Sequence, residues 1–470
     1  MKKEFISSLV ISLFFFTGHA NGENNKETGL TEVNNKPPNV LLIIANDLTL
    51  QLGCYGDTAA RTPMLDKLAT EGILFERAYA AGNVCTPNRK SLLTGMNVKT
   101  VGWGNNNYMR DHPNALTLPR WFRGNGYQTV KIGSVAHTDD YEGLLDWDIN
   151  LNETIIIPEG KGIVTSSYGA SATDGGPVIR TRIFPDGQST LDQIRTEMFE
   201  KFIVKEWDRS KPFFFALGFH GAHEPNDANV RHFKLHPPDR MPLTIAPVGA
   251  TPMTKPFPAS YRWWSINFPY DQQRLAIQGY YAAVSLMDEL VGRVIAYLEK
   301  EDLKNNTIII FVTDHGYNLG YRNNWAKHLL YPSILRVPLI VSYPGMSHKG
   351  SRSKGIVELQ DIFPTLAELS NLPVPEGLNG VSFVPLMKNP GKEGKEAAFA
   401  QGILHNGSGK AVTTKNGTYM EWDNGVFREF YDLTRDPDAW FNQVDNPDYS
   451  STIKYHKNLL ESHFALTPVL

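Results

Sequence analysis

The run Asn39-Val40-Leu41-Leu42-Ile43-Ile44-Ala45 has no polar residue after its first position, and it stops at Asn46-Asp47. A strand with one wet face alternates apolar and polar residues. A run that is apolar throughout reads as a strand buried on both faces, as in a parallel sheet covered by helices. Thr307-Ile308-Ile309-Ile310-Phe311-Val312 repeats the pattern and runs into Thr313-Asp314-His315-Gly316. Pro212 to Leu217 is a third such run and leads into Gly218-Phe219-His220-Gly221-Ala222-His223; Gly126 to Ile132 is a fourth. Between them, Thr62 to Gly72 has helical spacing with Leu65, Leu68 and Ala69 on one side, and Leu275 to Lys300 reads as a long amphipathic helix. Strands alternating with helices predict an α/β fold with a large, doubly wound mixed sheet flanked by helices. From about Ala397 the pattern shortens. Ala411 to Thr414 and Tyr419 to Trp422 alternate, with turns at Asn416-Gly417 and Asn424-Gly425, and Ser451 to Phe464 closes the chain as a helix. We therefore expect a main domain over 38–390 and a small C-terminal antiparallel β plus helix subdomain over 391–470.

The N-terminus reads as a signal peptide over residues 1–20. Lys2 and Lys3 precede an apolar run from Ile6 to Phe16, and Gly18-His19-Ala20 is a small-x-small cleavage site. The run is shorter than the ~20 apolar residues of a spanning helix. No stable membrane anchor is expected, and the mature chain should be periplasmic or secreted, with residues 21–37 as a polar linker. A formal net charge of −3 gives no sign of nucleic-acid binding, although it leaves room for a local basic pocket. Only two cysteines are present, Cys54 and Cys85. An oxidising compartment suggests a disulfide first, but the surroundings of Cys85 offer another use for it. Cys54 is then expected to be an unreactive structural thiol.

Two buried strands end in Asn46-Asp47 and Asp314-His315. In open α/β sheets the carboxyl ends of the strands line the active crevice. Oxygen-rich ligands from two strand ends suit a hard divalent cation, calcium before magnesium; acids that merely cap helices are the competing explanation. In Val84-Cys85-Thr86-Pro87-Asn88-Arg89, the proline marks a helix start. Cys85 would sit at a helix N-terminus, where exposed N–H groups favour anions, with Arg89 on the same end.

Cys85-Thr86-Pro87-Asn88-Arg89 resembles the Cys-x-Pro-x-Arg signature of the formylglycine-dependent sulfatases of the alkaline-phosphatase superfamily, and Leu93-Thr94-Gly95 continues it. The order of the remaining pieces is similar too: Asp47, then Gly53-Cys54-Tyr55-Gly56, Thr313 to Gly316, Trp325-Ala326-Lys327-His328, Arg336 to Ile340, Glu358 to Leu366 and Glu429 to Leu433. The resemblance runs from about Pro38 to the C-terminus and is strongest toward iduronate-2-sulfatase-like enzymes and bacterial polysaccharide sulfatases. It implies a sulfuric ester hydrolase acting on a sulfated carbohydrate. It implies that a formylglycine-generating or equivalent maturation enzyme converts Cys85 to formylglycine. The metal (Ca2+, with Mg2+ as the other choice) would be held by Asn46, Asp47, Cys85, Asp314 and His315. Cys85, Arg89, His137, His223 and Lys327 match the catalytic positions: Arg89 holding the formylglycine, and His137, His223 and Lys327 in the sulfate pocket.

Two single positions and one dipeptide depart from that pattern. Asn46 stands where the family usually has Asp, and an amide oxygen brings no charge to a calcium site. Ser134 stands where a sulfate-contacting Lys is usual; Lys131 lies an odd number of residues away on a strand and so faces the other side. Gly221-Ala222 replaces the Lys-Pro of iduronate-type members. Two other readings stay open: a phosphonate or phosphate ester hydrolase of the same superfamily, and an inactive relative that binds sulfated glycan. Tyr261, Trp263, Trp264, Phe268 and Tyr270 offer a sugar-stacking surface or, more simply, packing within the domain.

Overall fold

The computed structural model describes residues 36–103, 112, 114–136, 146–151, 163–168, 179–252, 269–404 and 407–465. The proposed signal peptide, residues 21–35 of the linker, His137, Tyr261, Trp263, Trp264 and Phe268 lie outside the described residues.

Eight strands form the central sheet: β1 Asn39–Ala45, β2 Ile73–Phe75, β3 Gln128–Gly133, β4 Ile149–Leu151, β5 Phe213–Gly218, β6 Thr307–Thr313, β7 Leu339–Ser342 and β8 Ser351–Ser353. Their spatial order is β8-β2-β7-β6-β1-β5-β3-β4. The four strands β6, β1, β5 and β3 are neighbours and parallel, whereas β7 runs antiparallel to β6. The sheet is therefore mixed, as expected.

The apolar runs are explained by what covers them. Side chains alternate across a strand, and every residue of β1 is buried. Leu41, Ile43 and Ala45 enter one core with Leu65 and Leu68 of α1 (Pro63–Glu71), Phe199 and Phe202 of α4 (Leu191–Lys205), and α5 (Tyr270–Lys300). Val40, Leu42 and Ile44 enter a second core with Leu92 of α2 (Cys85–Thr94), Phe122 of α3 (Leu118–Gly124), and Ile362 and Leu366 of α6 (Ile362–Leu369). Each fully buried aliphatic side chain contributes roughly 1.5–3 kcal/mol, so neither face tolerates a polar residue cheaply. The long helix starts five residues before its apolar periodicity, at Tyr270, which is exposed. At Gly279 it passes so close to the strand Ile179–Phe184, part of a separate three-stranded sheet, that a Cβ there would lie 2.1 Å from Thr181 Cγ2.

The C-terminal sheet is antiparallel in chain order: β9 Ala397–Leu404, β10 Gly407–Thr414, β11 Gly417–Trp422 and β12 Phe427–Asp432, followed by α7 Ser450–Phe464. One face packs Val412, Tyr419 and Phe430 against Leu460 of α7. The other packs Ala411, Met420 and Tyr431 against Tyr331, Leu330 and Trp440. Residues Pro37–Leu470 form one compact unit. Among the described residues no helix is long and apolar enough to cross a membrane.

The N-terminus of α1 has no side-chain cap of its own. Asp288 of α5 takes that place, accepting from Met64 N at 3.1 Å and Leu65 N at 2.7 Å. Burial pushes the Asp288 carboxyl up to about 7, although the two amides pull it down. The unfolded chain ionises this group near 3.8. Between those values the folded state holds a proton that the unfolded state has lost, so stability falls as pH rises, by up to about 4 kcal/mol in full. We predict that the melting temperature of Asp288→Asn declines less than that of the parent between pH 4 and 7. Parallel slopes in a pH series of thermal melts would contradict this assignment.

Candidate active site

The register of the parallel strands brings the site together. Ala45 pairs with Thr313, so the residues that follow β1 and β6 emerge side by side. Ile44 and Gly133 both pair with Gly218, which places the exits of β5 and β3 in the same row. Asn46 and Asp47, Asp314 and His315, the Phe219–His223 segment and Ser134 are therefore delivered by four adjacent strand ends. Asp47 has φ 57, a left-handed conformation that Asp tolerates better than most residues. Its amide donates to Asp314 Oδ1 at 3.1 Å.

Cys85 is the first residue of α2, as its sequence context predicts, and no side chain caps that end. The loop before it is pinned by Asn88, whose amide exchanges hydrogen bonds with Gly82 at 2.8 Å and donates to Val84 O at 3.0 Å. Lys327 arrives from the hairpin pairing Asn318–Leu319 with Trp325–Ala326. That hairpin is tied to the Cys85 loop through Asn83, which donates to His328 O at 2.6 Å and accepts from His328 N at 3.2 Å.

Four ligand atoms from Asp47, Cys85, Asp314 and His315 lie within 4.8 Å of one another, all from buried residues. His315 Nε2 is 3.2 Å from Cys85 Sγ and 3.4 Å from Asp47 Oδ1. Asn46 Oδ1 is 3.8 Å from the same sulfur. Lys327 Nζ contacts Asp47 Oδ1 at 2.9 Å and Cys85 Sγ at 3.2 Å. Arg89 grips Asp314 Oδ2 with Nε at 3.1 Å and Nη2 at 2.8 Å. Its Nη1 donates to Ser134 O and, at 3.2 Å, to Val135 O. His223 Nε2 is 3.9 Å from Asp47 Oδ2, while its Nδ1 meets Glu224 O at 2.5 Å. A carbonyl only accepts, so Nδ1 carries the hydrogen and Nε2 faces the site.

Two carboxylates thus face two permanent cations. Burial alone would raise the Asp47 and Asp314 carboxyls, but Lys327 next to Asp47 and Arg89 next to Asp314 hold both below the usual carboxylate range. Burial would likewise depress Lys327, which Asp47 and Cys85 instead keep firmly protonated. His315 is pushed up to about 9: burial lowers it, and Asp314, Cys85 and Asp47 outweigh burial.

All the expected site residues among those described converge here: Asn46, Asp47, Cys85, Arg89, His223, Asp314, His315 and Lys327. His137 lies outside the described residues. Lys131 is buried on β3, between Val130 and Ile132, whose side chains enter the α4–α5 core, so it faces away from them. The sequence reading missed Asp192 and Arg195 of α4, both buried and paired at 2.9 Å beside Ser134 and His220. The available signal was the Thr190-x-x-Gln193 capping box that opens α4.

Both cysteines are free. Burial pushes the Cys54 thiol up to about 12, reinforced by Asp66, which also accepts from Cys54 N at 2.6 Å. Thiolate is the reactive form. We predict that native protein is not alkylated at Cys54 at pH 8 and that Asp66→Asn speeds its labelling. Rapid labelling of Cys54 in the folded parent, read by peptide mass, would contradict that.

Comparison with known proteins places the chain. The Sulfatase family matches residues 38–372, and the N-sulphoglucosamine sulphohydrolase C-terminal family matches residues 320–465. Iduronate 2-sulfatase of Mus musculus is 33% identical over 397 residues, covering 72% of this chain and 69% of the relative. A solved structure in complex with its substrate D-glucosamine-2-N,6-O-disulfate superposes with a TM-score of 0.70 at 22% identity, covering 91% of this chain and 97% of the other. The phosphonate monoester hydrolase of Silicibacter pomeroyi superposes with a TM-score of 0.74 at 18% identity, covering 91% and 95%. At those identities the two structures speak for the fold alone.

Proposed function

The chain belongs to the sulfatase family, and from that premise we propose that it is a formylglycine- and calcium-dependent sulfatase that removes sulfate from a sulfated carbohydrate. The observation that carries the reading is the meeting of Cys85, at an uncapped helix start, with Asp47, Asp314, His315 and Lys327. Support for a carbohydrate comes from the 33% identical relative, which is an iduronate 2-sulfatase.

The donor set fits a hard divalent cation. Two carboxylates, one imidazole and the Asn46 amide oxygen surround the Cys85 side chain, and such oxygen-rich sets suit calcium. Asp47, Asp314, His315 and Asn46 would hold it. When present, calcium supplies Lewis acidity, and the hydrate of a formylglycine at position 85 supplies two hydroxyls on one carbon where a serine would offer one.

The other residues act in place. Lys327 keeps its ammonium against the Cys85 side chain, where negative charge builds on the sulfuryl oxygens. Arg89 holds Asp314 with two nitrogens on one oxygen, Oδ2, and, through the Ser134 carbonyl, ties α2 to the end of β3. His223 keeps Nε2 toward the site because Nδ1–H is committed to Glu224 O, so it is the imidazolium form, with its second proton on Nε2, that gives that proton to the leaving oxygen and returns to the neutral ring. The N-terminal segment of residues 1–20 is assigned as a signal peptide, which makes the mature enzyme periplasmic or secreted.

Two variants test this reading. Lys327→Ala lowers kcat on a chromogenic aryl sulfate by at least about 100-fold with circular dichroism unchanged. Near-normal turnover would show that the sulfate pocket lies elsewhere, and faster hydrolysis of the aryl phosphonate would favour the hydrolase alternative. Asn46→Asp adds a charged ligand and tightens calcium binding in a calorimetric titration; an unchanged affinity would remove position 46 from the ligand set.

A further inference from the structure

Position 134 carries no charge, yet a guanidinium lies at the tip of its side chain. Arg195 Nη2 is 3.3 Å from Ser134 Oγ. The same guanidinium reaches Asp192 Oδ1 through Nη1 at 2.9 Å. Asp192 in turn accepts from His220 N at 2.7 Å through Oδ1 and from Gly221 N at 2.8 Å through Oδ2. Both side chains are more than nine-tenths buried, Asp192 at 6% and Arg195 at 4% exposure. They stand one turn apart at the start of α4, a helix locked by its capping box.

The pair therefore joins two strand exits that the sheet leaves separate. On one side is Ser134, directly after β3, whose carbonyl is the acceptor for Arg89, the residue gripping Asp314. On the other side is the His220–Ala222 turn after β5, which positions His223 (His223 N donates to His220 O at 2.9 Å). Space is tight at this junction. A Cβ on Gly133 would lie 2.6 Å from Arg195 Nε, and one on Gly218 would lie 2.2 Å from the Ser134 carbonyl carbon. Glycine at both positions lets the guanidinium lie against the backbone of β3 and lets the two strand exits touch.

Burying an ion pair is a poor route to stability, because desolvation offsets much of the attraction. The cost is better explained by what the pair orients. The Asp192 charge is spread over two backbone amides and one guanidinium nitrogen, while Arg195 directs Nη2 to the Ser134 hydroxyl.

We infer that Arg195 and Asp192 serve the anion pocket in two ways: Arg195 is an anion-binding residue that supplies from α4 the positive charge that position 134 lacks, and Asp192 is a positioning residue that sets the turn presenting His223. This rests on the proposed sulfate-ester hydrolysis.

The test is steady-state kinetics on a chromogenic aryl sulfate, with inhibition by inorganic sulfate as a measure of anion binding. The panel is Arg195→Lys, Arg195→Gln, Ser134→Lys and the double variant Ser134→Lys/Arg195→Gln, each checked by thermal melting. Arg195→Gln should raise KM and weaken sulfate inhibition by roughly 10- to 100-fold, the scale of a lost charged hydrogen bond. Arg195→Lys should retain most of both. Ser134→Lys alone should lower activity, because two cations then crowd one place. Ser134→Lys/Arg195→Gln should recover anion binding relative to Arg195→Gln. Equal losses in the Lys and Gln variants, or no recovery in the double variant, would show that Arg195 only fills space and overturn the inference. A parent that hydrolyses no aryl sulfate would instead overturn the proposed function, so the two failures are distinguishable.

Discussion

The parallel register of four neighbouring strands is the constraint on which the site depends. Because Ala45 pairs with Thr313, and Ile44 and Gly133 both pair with Gly218, the four chain exits lie in one row at one edge of the sheet. A shift of one residue in any of these strands would turn its side chains to the opposite face. It would also move the following acid, histidine or serine out of reach of the others. For β1, β5 and β6 that register is enforced from both faces, since they bury alternate residues in two separate cores, and β3 puts Val130 and Ile132 into the first of them. The apolar interior and the polar site are thus two consequences of one arrangement.

Charge is the second constraint. Asp47 and Asp314 are almost wholly buried, and buried carboxylates persist only with partners. Here each has a dedicated cation brought from a different element, Lys327 from a hairpin and Arg89 from α2. Arg89 does more than balance charge, because its fork binds Asp314 while its remaining nitrogen holds the backbone of Ser134 and Val135. The start of α2, the end of β6 and the end of β3 are therefore tied together. The Asp192–Arg195 pair extends the same logic to β5. Farther out, the Arg322 guanidinium lies 5.1–5.6 Å from the ring centres of Tyr321, Tyr331, Tyr431 and Trp440. It fastens the segment that carries Lys327 to the C-terminal sheet.

Much of this was legible in the sequence because the relevant signals are local. Apolar runs without alternation identified β1, β5 and β6, and the acids at their ends identified the ligand row. The turns at Asn416-Gly417 and Asn424-Gly425 identified the hairpins of the C-terminal sheet. The short strands β2, β4, β7 and β8, of three or four residues each, carry too little pattern to stand out and exist because the sheet edge offers them partners. The role of α4 was hidden for another reason. Asp192 and Arg195 look like an ordinary surface i,i+3 pair, and only the fold shows that they are buried between two strand exits. The proximity of Lys327 to Asp47 is likewise non-local: it depends on a hairpin anchored by Asn83 to the Cys85 loop, and only the sulfatase resemblance pointed to it in advance.

The central claim is that position 85 works as an aldehyde rather than as a thiol. The direct measurement is peptide mass spectrometry of protein produced together with a formylglycine-generating enzyme, combined with hydrazide labelling and turnover of an aryl sulfate on the same preparation. We predict that the peptide spanning Cys85 has exchanged its sulfur for an aldehyde oxygen, and that activity scales with the converted fraction. Full sulfatase activity in protein whose Cys85 is an intact thiol, or is joined to Cys54, would contradict it.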